Sequence, residues 1–373
     1  MAGTDEPTIP FSQSLYRIFT EAAGRHADRT ALVGIGGRGD TVSYSDLLQN
    51  TRRLAAGMRK WKLTRPGLVG LMSENRVEWP QTYLAILAAG ATVVPIDASS
   101  TSDEVARIVD HAGLETVFCS GEARRIVQAA RLDTRTVDFD NSSEDSAWRL
   151  LLAHEPTDPP EVTNQTAALI YTSGTTGSPK AVELTHSNLR ANLEQVSRTL
   201  GFSHQDVFLS LLPLHHTFEA TCGFLRPLTV GAKIAYARSL KSRDIVEDVR
   251  DNRITIVIGV PLLYEKMYHA FQRRVVNQPI VRRAAFRAAF AMSGHGFDRG
   301  KRWGKTLFAN LRREAGLDSI RMFISGGAPL APRVARFFNL LGFDLLQGYG
   351  LTEAAPVISS NTPLWRVTSC DRL

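Results

Sequence analysis

Residues 171–180 read YTSGTTGSPK, and the fold prediction depends on this stretch. It follows an apolar run at 167–170 that is typical of a buried strand, and a helical pattern begins behind it at His186. Glycines let the backbone approach an anion, and consecutive N–H groups form a concave nest for it. Hydroxyl and ammonium groups supply further donors. The stretch therefore predicts a phosphate-binding loop at the end of a strand.

This loop differs from the common nucleotide-binding motif. That motif has four residues between its glycines, followed by Gly-Lys-Ser/Thr. Here two residues separate Gly174 from Gly177, and Pro179 precedes Lys180. A string of Gly, Ser and Thr is also typical of an ordinary polar surface turn. Support for phosphate binding must therefore come from other parts of the chain.

The composition is that of a chain with sizeable cores: 373 residues, 43% of them hydrophobic, and a formal net charge of +7. This length allows two or three packed units. No run of eighteen apolar residues occurs, and MAGTDEPTIPFSQ at the start lacks the basic and apolar regions of a secretory signal. Cys119, Cys222 and Cys370 fit no metal-binding spacing and suit a reducing compartment. We therefore expect a cytoplasmic protein, with peripheral contact at the inner membrane surface as a further expectation.

Strand patterns alternate with helical patterns along most of the chain, which predicts an α/β fold with parallel sheets covered on both faces. Predicted helices include residues 15–24, 79–89 and 102–111, and Ser43 is a candidate N-cap for a helix that runs to Trp61. The polar, proline-containing end of residues 141–161 is interpreted as a linker. It would divide a domain at 12–366 into parallel-sheet subdomains at 12–155 and 164–366, followed by an atypical tail at 367–373.

Residues 265–313 form a basic segment with twelve Lys/Arg and two Asp/Glu, a local charge of +10. Within it, Phe286 and Phe290 lie one helical turn apart with arginines nearby, as in a basic amphipathic helix. One interpretation, slightly favoured, is a solvated helix that caps the core. Another is contact with an anionic membrane. Nucleic acid is not expected as a partner, because no recognised nucleic-acid motif accompanies the charge.

Three later stretches follow predicted strands, as the phosphate loop does. They read LLPLHHTFE at 211–219, SGGAPL at 325–330 and QGYGLTE at 347–353. Open parallel sheets bind ligands beyond the carboxyl ends of their strands. We therefore expect all four stretches to converge on one crevice.

Together these stretches resemble the adenylate-forming superfamily of acyl-CoA synthetases, luciferases and peptide-synthetase adenylation domains. LPLHHTFEATCGFL, the basic segment and FISGGAPL are most similar to long-chain fatty acyl-CoA synthetases, and the resemblance runs from about residue 15 to residue 363. It implies the N-terminal domain of an ATP-dependent, AMP-forming ligase. Such an enzyme joins a fatty acid to AMP as an acyl-adenylate and then transfers the acyl group to coenzyme A.

The resemblance also implies a role for individual residues. His216 would lie at the junction of acyl group and adenylate, Thr352 would contact the α-phosphate, and Glu353 would act with Thr172 near Mg²⁺. Together with Lys180, His216, Thr352 and Glu353 form the predicted catalytic set. The predicted nucleotide-binding set comprises Thr172, Ser173, Gly174, Thr175, Thr176, Gly177, Lys180, Gly327, Ala328, Gln347, Gly348, Tyr349 and Thr352.

Each role has a structural alternative. Tyr349 could be a core residue, Glu353 could satisfy free N–H groups at a helix N-terminus, and His215 is interpreted as structural. Phe218 and nearby apolar residues could line an acyl tunnel or simply pack a helix. Cys222 could be a nucleophile beside the histidines, although a small buried residue is favoured.

A full family member continues well past position 373 with an aspartate for the ribose, a hinge and a smaller domain that supplies a catalytic lysine. On this comparison the sequence is expected to be truncated and poorly active alone. Three hypotheses follow: the catalytic N-terminal domain of a ligase, a nucleotide- or acyl-binding remnant without turnover, and a basic protein of the membrane surface. Acyl chain length, coenzyme A or a carrier protein as acceptor, and the oligomeric state stay open.

Overall fold

Two sheets of mainly parallel strands form the framework of the protein. The computed structural model describes residues 14–34, 40–65, 67–130, 133–159, 165–172 and 180–361. The strands of the six-stranded sheet are β3 (Leu68–Met72), β4 (Thr92–Ile96), β5 (Thr116–Cys119), β6 (Arg135–Asp138), β7 (Thr166–Thr172) and β8 (Lys180–Thr185). Their order is β6-β5-β3-β4-β7-β8, and β8 alone in this sheet runs antiparallel to its neighbour.

The eight-stranded sheet contains strands from both ends of the described chain. They are β1 (Thr30–Gly34), β2 (Thr41–Ser43), β9 (Val207–Ser210), β10 (Lys233–Tyr236), β11 (Ile256–Gly259), β12 (Met322–Ser325), β13 (Asp344–Gly350) and β14 (Val357–Ser360). The order is β14-β13-β12-β11-β9-β10-β1-β2, with antiparallel pairs at both edges and parallel pairs between them. The predicted fold class, α/β with two sheets of mainly parallel strands, is confirmed.

The sheets do not divide the chain where the sequence analysis placed the boundary. Strands β1 and β2, from the predicted first subdomain, pair in the eight-stranded sheet with β10. Strands β7 and β8, from the predicted second subdomain, extend the six-stranded sheet beyond β4. Strand pairing therefore crosses the predicted division at 155–164 and joins segments that are far apart in sequence.

Helices cover the sheets. They are α1 (Leu15–Arg25), α2 (Tyr44–Lys60), α3 (Glu78–Ala88), α4 (Ser102–Ala112), α5 (Gly121–Ala129), α6 (Ala147–Leu152), α7 (His186–Leu200), α8 (Arg226–Thr229), α9 (Ser242–Asn252), α10 (Pro261–Val276), α11 (Ile280–Phe297), α12 (Gly304–Leu307), α13 (Ala309–Glu314) and α14 (Pro332–Leu340). Five of those described, α1, α2, α4, α5 and α7, begin at a side-chain cap. The Ser43 hydroxyl accepts from the Asp46 N–H and caps α2, as predicted. Such a cap stabilises a helix by about 1 kcal/mol.

A π-helix at Glu219–Leu225 lies where the layers of the two sheets meet. Its Phe224 ring packs edge-on against Trp79 and Tyr83 of α3, which stack on each other. All three rings are among the largest fully buried side chains. This aromatic contact joins the helix after β3 to the segment after β9.

One local prediction needs correction: Gln347–Gly350 is not a loop after a strand, because it continues β13 and pairs with β14. Two elements were not predicted. Strand β8 follows the phosphate loop and pairs antiparallel with β7, before α7 begins at His186. Helix α6 lies within the polar region at 141–161, ahead of its proline-containing end, and its Trp148 and Leu151 are buried against the core around α2.

The basic segment forms α10 to α13 beside the eight-stranded sheet. Phe286 and Phe290 of α11 face inward and contact Phe308 and Phe337. The favoured interpretation, a helix that caps the core, is confirmed for this face, and Phe286 and Phe290 do not form an exposed apolar surface. Among the described residues, no helix is long and apolar enough to cross a membrane.

Candidate active site

The carboxyl ends of β9, β11, β12 and β13 surround a cavity of about 430 Å³. Its wall combines His216, Gly327, Gly348, Tyr349 and Thr352 with Thr217, Gly326 and Gly350 and with apolar residues, namely Leu212, Pro213, Phe218, Val260, Leu351, Pro356 and Val357. Five predicted site residues thus meet in one crevice, although they come from three segments of the sequence.

Two glycines allow close approach of the walls. A Cβ atom on Gly326 would lie 2.7 Å from the Phe218 ring, so the ring packs directly on the glycine backbone. A Cβ atom on Gly350 would lie 2.0 Å from the Pro356 carbonyl oxygen, where no side chain fits. The two glycines therefore shape the cavity because neighbouring residues of the wall pack directly on their backbone.

Asn75, in the loop after β3, holds the segment that carries the two histidines. Its Nδ2 group donates to the Leu212 carbonyl at 2.7 Å and to the Ser210 hydroxyl at 3.0 Å, and its Oδ1 accepts from the Leu214 N–H at 3.0 Å. These bonds connect the end of a strand in the six-stranded sheet to the end of β9 in the other sheet. Asn75 thus fixes the histidine segment relative to both sheets.

The two adjacent histidines line different cavities. His216 is exposed in the 430 Å³ cavity, whereas His215 lines a second cavity of about 560 Å³ that also contains Asp97, Arg76 and Asn75. Their ring centroids are 4.1 Å apart. Burial, with a smaller contribution from His216, lowers the pKa of His215 to about 4, although Asp97 opposes the shift. His215 is therefore neutral at pH 7, and its 3.6 Å approach to Asp97 is not an ion pair at that pH.

The Thr352 segment is anchored from two directions. The Thr217 hydroxyl donates to the Thr352 hydroxyl at 3.5 Å, and the short 3₁₀-helix Thr352–Ala354 packs against β8. From α7, the Asn192 amide donates to the Val357 carbonyl at 2.7 Å and accepts from the Val357 N–H at 3.2 Å. Strand β14 and the preceding turn are thereby held over the cavity.

The start and end of the phosphate loop are defined by strand pairing. Thr172 is opposite Lys180 in the β7–β8 ladder, and Lys180 is exposed. Strand β8, which begins at Lys180, contacts the 3₁₀-helix that carries Thr352 and Glu353. The predicted phosphate-binding residues Ser173, Gly174, Thr175, Thr176 and Gly177 lie outside the described residues.

Not every predicted residue lines the cavity. Glu353 and Ala328 are exposed and Gln347 is half-buried, and none of the three belongs to the cavity wall. Sequence reasoning missed Asn75, Asn192 and Val260, which support or line the site. Asn75 and Asn192 have no local signal, because each makes its contacts across more than a hundred residues.

Glu219, which the sequence analysis did not assign, is a fully buried carboxyl group on the π-helix. Its Oε1 accepts from the Ser210 hydroxyl at 2.7 Å, and its Oε2 has no hydrogen-bond partner among the described residues. Burial raises the pKa of Glu219 to about 8, although the Ser210 hydrogen bond opposes the shift. Gly223 makes room for the carboxyl group, since a Cβ atom there would lie 2.5 Å from Glu219 Cδ. Cys222 is also buried and its thiol pKa is raised to about 12 by burial, which disfavours a nucleophilic role.

The described residues contain no cluster of three or more His, Cys, Asp and Glu that could hold a metal alone. The exposed Glu353 carboxylate on the 3₁₀-helix and the Thr172 hydroxyl at the end of β7 offer oxygen ligands. This donor set fits Mg²⁺, which keeps several waters and is usually bound through one or two carboxylates together with substrate phosphates.

Comparison with known proteins supports the fold and the family. The long-chain-fatty-acid–CoA ligase ACSBG2 of Rattus norvegicus is 27% identical over 395 aligned residues, which cover 95% of this chain and 59% of the relative. The long-chain-fatty-acid-CoA ligase FadD1 from Archaeoglobus fulgidus superposes with a TM-score of 0.77 at 19% identity, covering 99% of this chain and 69% of that one. The N-terminal domain of FACL13 from Mycobacterium tuberculosis gives 0.73 at 18% identity, with 92% and 77% coverage.

These structural similarities occur at low sequence identity, so they support the fold alone. The chain spans less than two thirds of the length of the rat relative. The family model described as AMP-binding enzyme matches residues 19–372, nearly the whole chain, and agrees with the resemblance found in the motifs. This chain therefore belongs to the AMP-binding enzyme family.

Proposed function

We propose that this chain forms the ATP- and acid-binding part of an AMP-forming ligase that activates a fatty acid, long-chain by similarity, for transfer to coenzyme A. The observation that carries the proposal is the 430 Å³ cavity, in which His216, Gly327, Tyr349 and Thr352 converge. Its wall combines apolar residues with a few polar side chains, as a site for an acyl group joined to a nucleotide requires.

In the first step a carboxylate oxygen of the acid attacks the α-phosphorus of ATP. A new phosphorus–oxygen bond forms, the bond between the α-phosphorus and the bridging oxygen breaks, and pyrophosphate leaves with the bonding electron pair. Thr352 would donate a hydrogen bond to an α-phosphate oxygen, and Lys180 would balance charge on the departing phosphates. Mg²⁺ held by Thr172 and Glu353 would supply further positive charge at the phosphates.

Tyr349 is suited to hold the adenine ring. Its side chain is 52% exposed in the cavity, and glycines on both sides leave the ring face accessible. Stacking of a base on an aromatic ring contributes about 1–3 kcal/mol. Phe218 and Val260 also line the cavity and would present apolar surface to the acyl group.

In the second step the sulfur of a thiol attacks the acyl carbon, the thiol loses its proton, and AMP leaves with the electron pair of the broken bond. The 560 Å³ cavity adjoins the first at the histidine pair, and we propose that the thiol approaches from there. Coenzyme A is the proposed acceptor, and a carrier-protein thiol is the alternative.

Titration calorimetry with ATP–Mg²⁺ tests the nucleotide site. We expect Lys180→Ala and Tyr349→Ala to weaken binding, whereas Lys241→Ala, an exposed lysine outside the cavity, should not. Hydroxylamine trapping of acyl-adenylate from a panel of fatty acids then tests the chemistry. Equal ATP affinity in all four proteins would contradict the assigned site. Nucleotide binding with no trapped product for any acid would favour a binding protein without turnover.

A cytoplasmic location with peripheral contact at the inner membrane surface completes the proposal. The charge of +10 in residues 265–313 supports the membrane contact, and fractionation of cells that express the chain tests the location.

A further inference from the structure

The histidine segment, residues 211–218, is closed at its base by a contact between two side chains. The segment follows Ser210, the last residue of β9, and ends before Glu219, the first residue of the π-helix. The Ser210 hydroxyl donates to Glu219 Oε1 at 2.7 Å. Ser210 is 2% exposed and Glu219 is fully buried, so water does not compete for this bond. A buried hydrogen bond therefore joins the two ends of the segment that separates the two cavities.

Asn75 extends this contact to the backbone of the histidine segment. Its Nδ2 group donates to the same Ser210 hydroxyl and to the Leu212 carbonyl, and its Oδ1 accepts from the Leu214 N–H. The Ser210 hydroxyl thus donates to the carboxyl group and accepts from the amide. We call the side chains of Asn75, Ser210 and Glu219 the clasp. A continuous path of hydrogen bonds runs through the clasp from the buried carboxyl group to the residue before His215.

The surroundings of Glu219 indicate more than packing. π-helical turns are rare and are frequent at functional sites. Gly223 leaves the space that the carboxyl group occupies, since a Cβ atom there would lie 2.5 Å from Glu219 Cδ. Among the described residues, Oε2 has no hydrogen-bond partner. A buried polar group that is only partly satisfied lowers stability, and an apolar side chain would fill the same space without that cost.

We propose that Glu219 is a positioning residue, which holds the histidine segment at the junction of the two cavities through the clasp. This role deepens the proposed function and rests on it. The neutral carboxyl group suits its buried place. A carboxylate there would be a buried charge and would favour conformations in which it reaches water, and these would open the base of the segment. Acid activation should therefore require that Glu219 keeps its proton.

No other buried group around the π-helix should change its charge in the same pH range. Burial raises the pKa of Glu219 to about 8, although the Ser210 hydrogen bond opposes the shift. The other buried titratable and charged side chains around this helix are Tyr83 of α3, His186 and Arg190 of α7, Cys222, Arg226 of α8, Tyr236 of β10 and Tyr264 of α10. Burial raises the pKa of the thiol to about 12 and the pKa of each tyrosine above its usual value, and it lowers the pKa of His186 to about 4. Arginine stays charged throughout.

Hydrogen exchange at pH 7 tests the clasp without any need for turnover. Ser210→Ala removes the bond at the base of the segment. It should lower the protection of residues 211–218 at least about fivefold relative to the protection of β5 in the other sheet. The matched control is Thr221→Val on the same π-helix, because the Thr221 hydroxyl is buried and has no hydrogen-bond partner among the described residues. This control should leave that ratio unchanged.

The pH profile of acid activation tests the carboxyl group itself. Glu219→Gln keeps an oxygen that accepts from Ser210 but cannot ionise. The rate of hydroxylamine trapping by this variant, divided by the rate of the unaltered protein, should rise about tenfold from pH 7 to pH 9, because about nine-tenths of the Glu219 carboxyl groups would be ionised at pH 9. Effects of pH on ATP, the acid and hydroxylamine cancel in this ratio. A carboxyl group that served the fold alone would leave the ratio constant.

Each result bears on one of the two proposals. A complete lack of trapped product from the unaltered protein would contradict the proposed function, and hydrogen exchange would still decide whether the clasp holds the segment. Equal protection in Ser210→Ala and Thr221→Val, or a rate ratio that is independent of pH, would overturn the positioning role. Thermal unfolding checks that each variant folds. If Glu219→Gln does not fold, the comparison of Ser210→Ala with Thr221→Val in both assays decides the matter.

Discussion

Replacement of Glu219 by glutamine should change the pH dependence of stability in a defined direction. The buried carboxyl group has a pKa of about 8 in the folded protein, against 4.5 for an ordinary glutamate. Between these values the folded state holds a proton that the unfolded state has lost. Stability therefore falls as pH rises from 4.5 to 8, and this contribution levels off above pH 8. At pH 7 the difference corresponds to about 3 kcal/mol, at 1.36 kcal/mol for each pKa unit.

The glutamine variant removes this titration and little else. Its side-chain oxygen can still accept from the Ser210 hydroxyl, as Oε1 does now at 2.7 Å. Its amide nitrogen would occupy the position of Oε2, which has no partner among the described residues. A buried unpaired donor has its own cost of about 1–3 kcal/mol, but that cost does not vary with pH. The informative quantity is therefore the difference in pH dependence between the two proteins.

Urea unfolding at half-unit steps from pH 5 to pH 9 measures this difference. The stability of Glu219→Gln relative to the unaltered protein should rise by about 3 kcal/mol as the pH goes from 5 to 7. Histidines and other groups titrate in both proteins, so their contributions cancel. Ser210→Ala serves as a second variant. It removes the hydrogen bond that lowers the Glu219 pKa and should extend the falling range to higher pH. Parallel curves for Glu219→Gln and the unaltered protein would refute a neutral buried carboxyl group.

Three further variants test the site and its support. Burial lowers the pKa of His186 to about 4, so stability should fall as pH drops from 6.5 toward 4, and His186→Asn should flatten this acid limb in urea unfolding. Asn75→Ala removes three hydrogen bonds between the sheets and should lower the free energy of unfolding by about 1–3 kcal/mol. It should also weaken ATP binding in calorimetry, and unchanged ATP affinity would contradict the positioning role of Asn75. Gly350→Ala should lower the melting temperature strongly, because its Cβ would lie 2.0 Å from the Pro356 carbonyl oxygen. The control Gly348→Ala should fold normally, because its Cβ would lie 3.8 Å from the nearest atom, the Ser359 carbonyl oxygen. Equal melting temperatures of the two variants would contradict the packing argument.

Local signals in the sequence were sufficient for many of the elements and for the family. Ser43 predicted the start of α2, because a serine side chain can cap a helix wherever the following residues are helical. The alternation of strands and helices predicted parallel sheets, since parallel strands need a crossover between them. The motifs at 211–219, 325–330 and 347–353 predicted a common crevice because each follows a predicted strand, and residues of all three line one cavity.

Contacts between distant segments decided what local signals left open. The sequence carried no sign that β1 joins β10 or that β7 joins β4, because strand partners are chosen by packing across more than seventy residues. The helical pattern of α11 is apolar on two sides, so only packing against Phe308 shows that Phe286 faces inward and Val281 outward. The burial of Glu219, and with it the pKa of its carboxyl group, likewise depends on layers that meet only in the folded molecule.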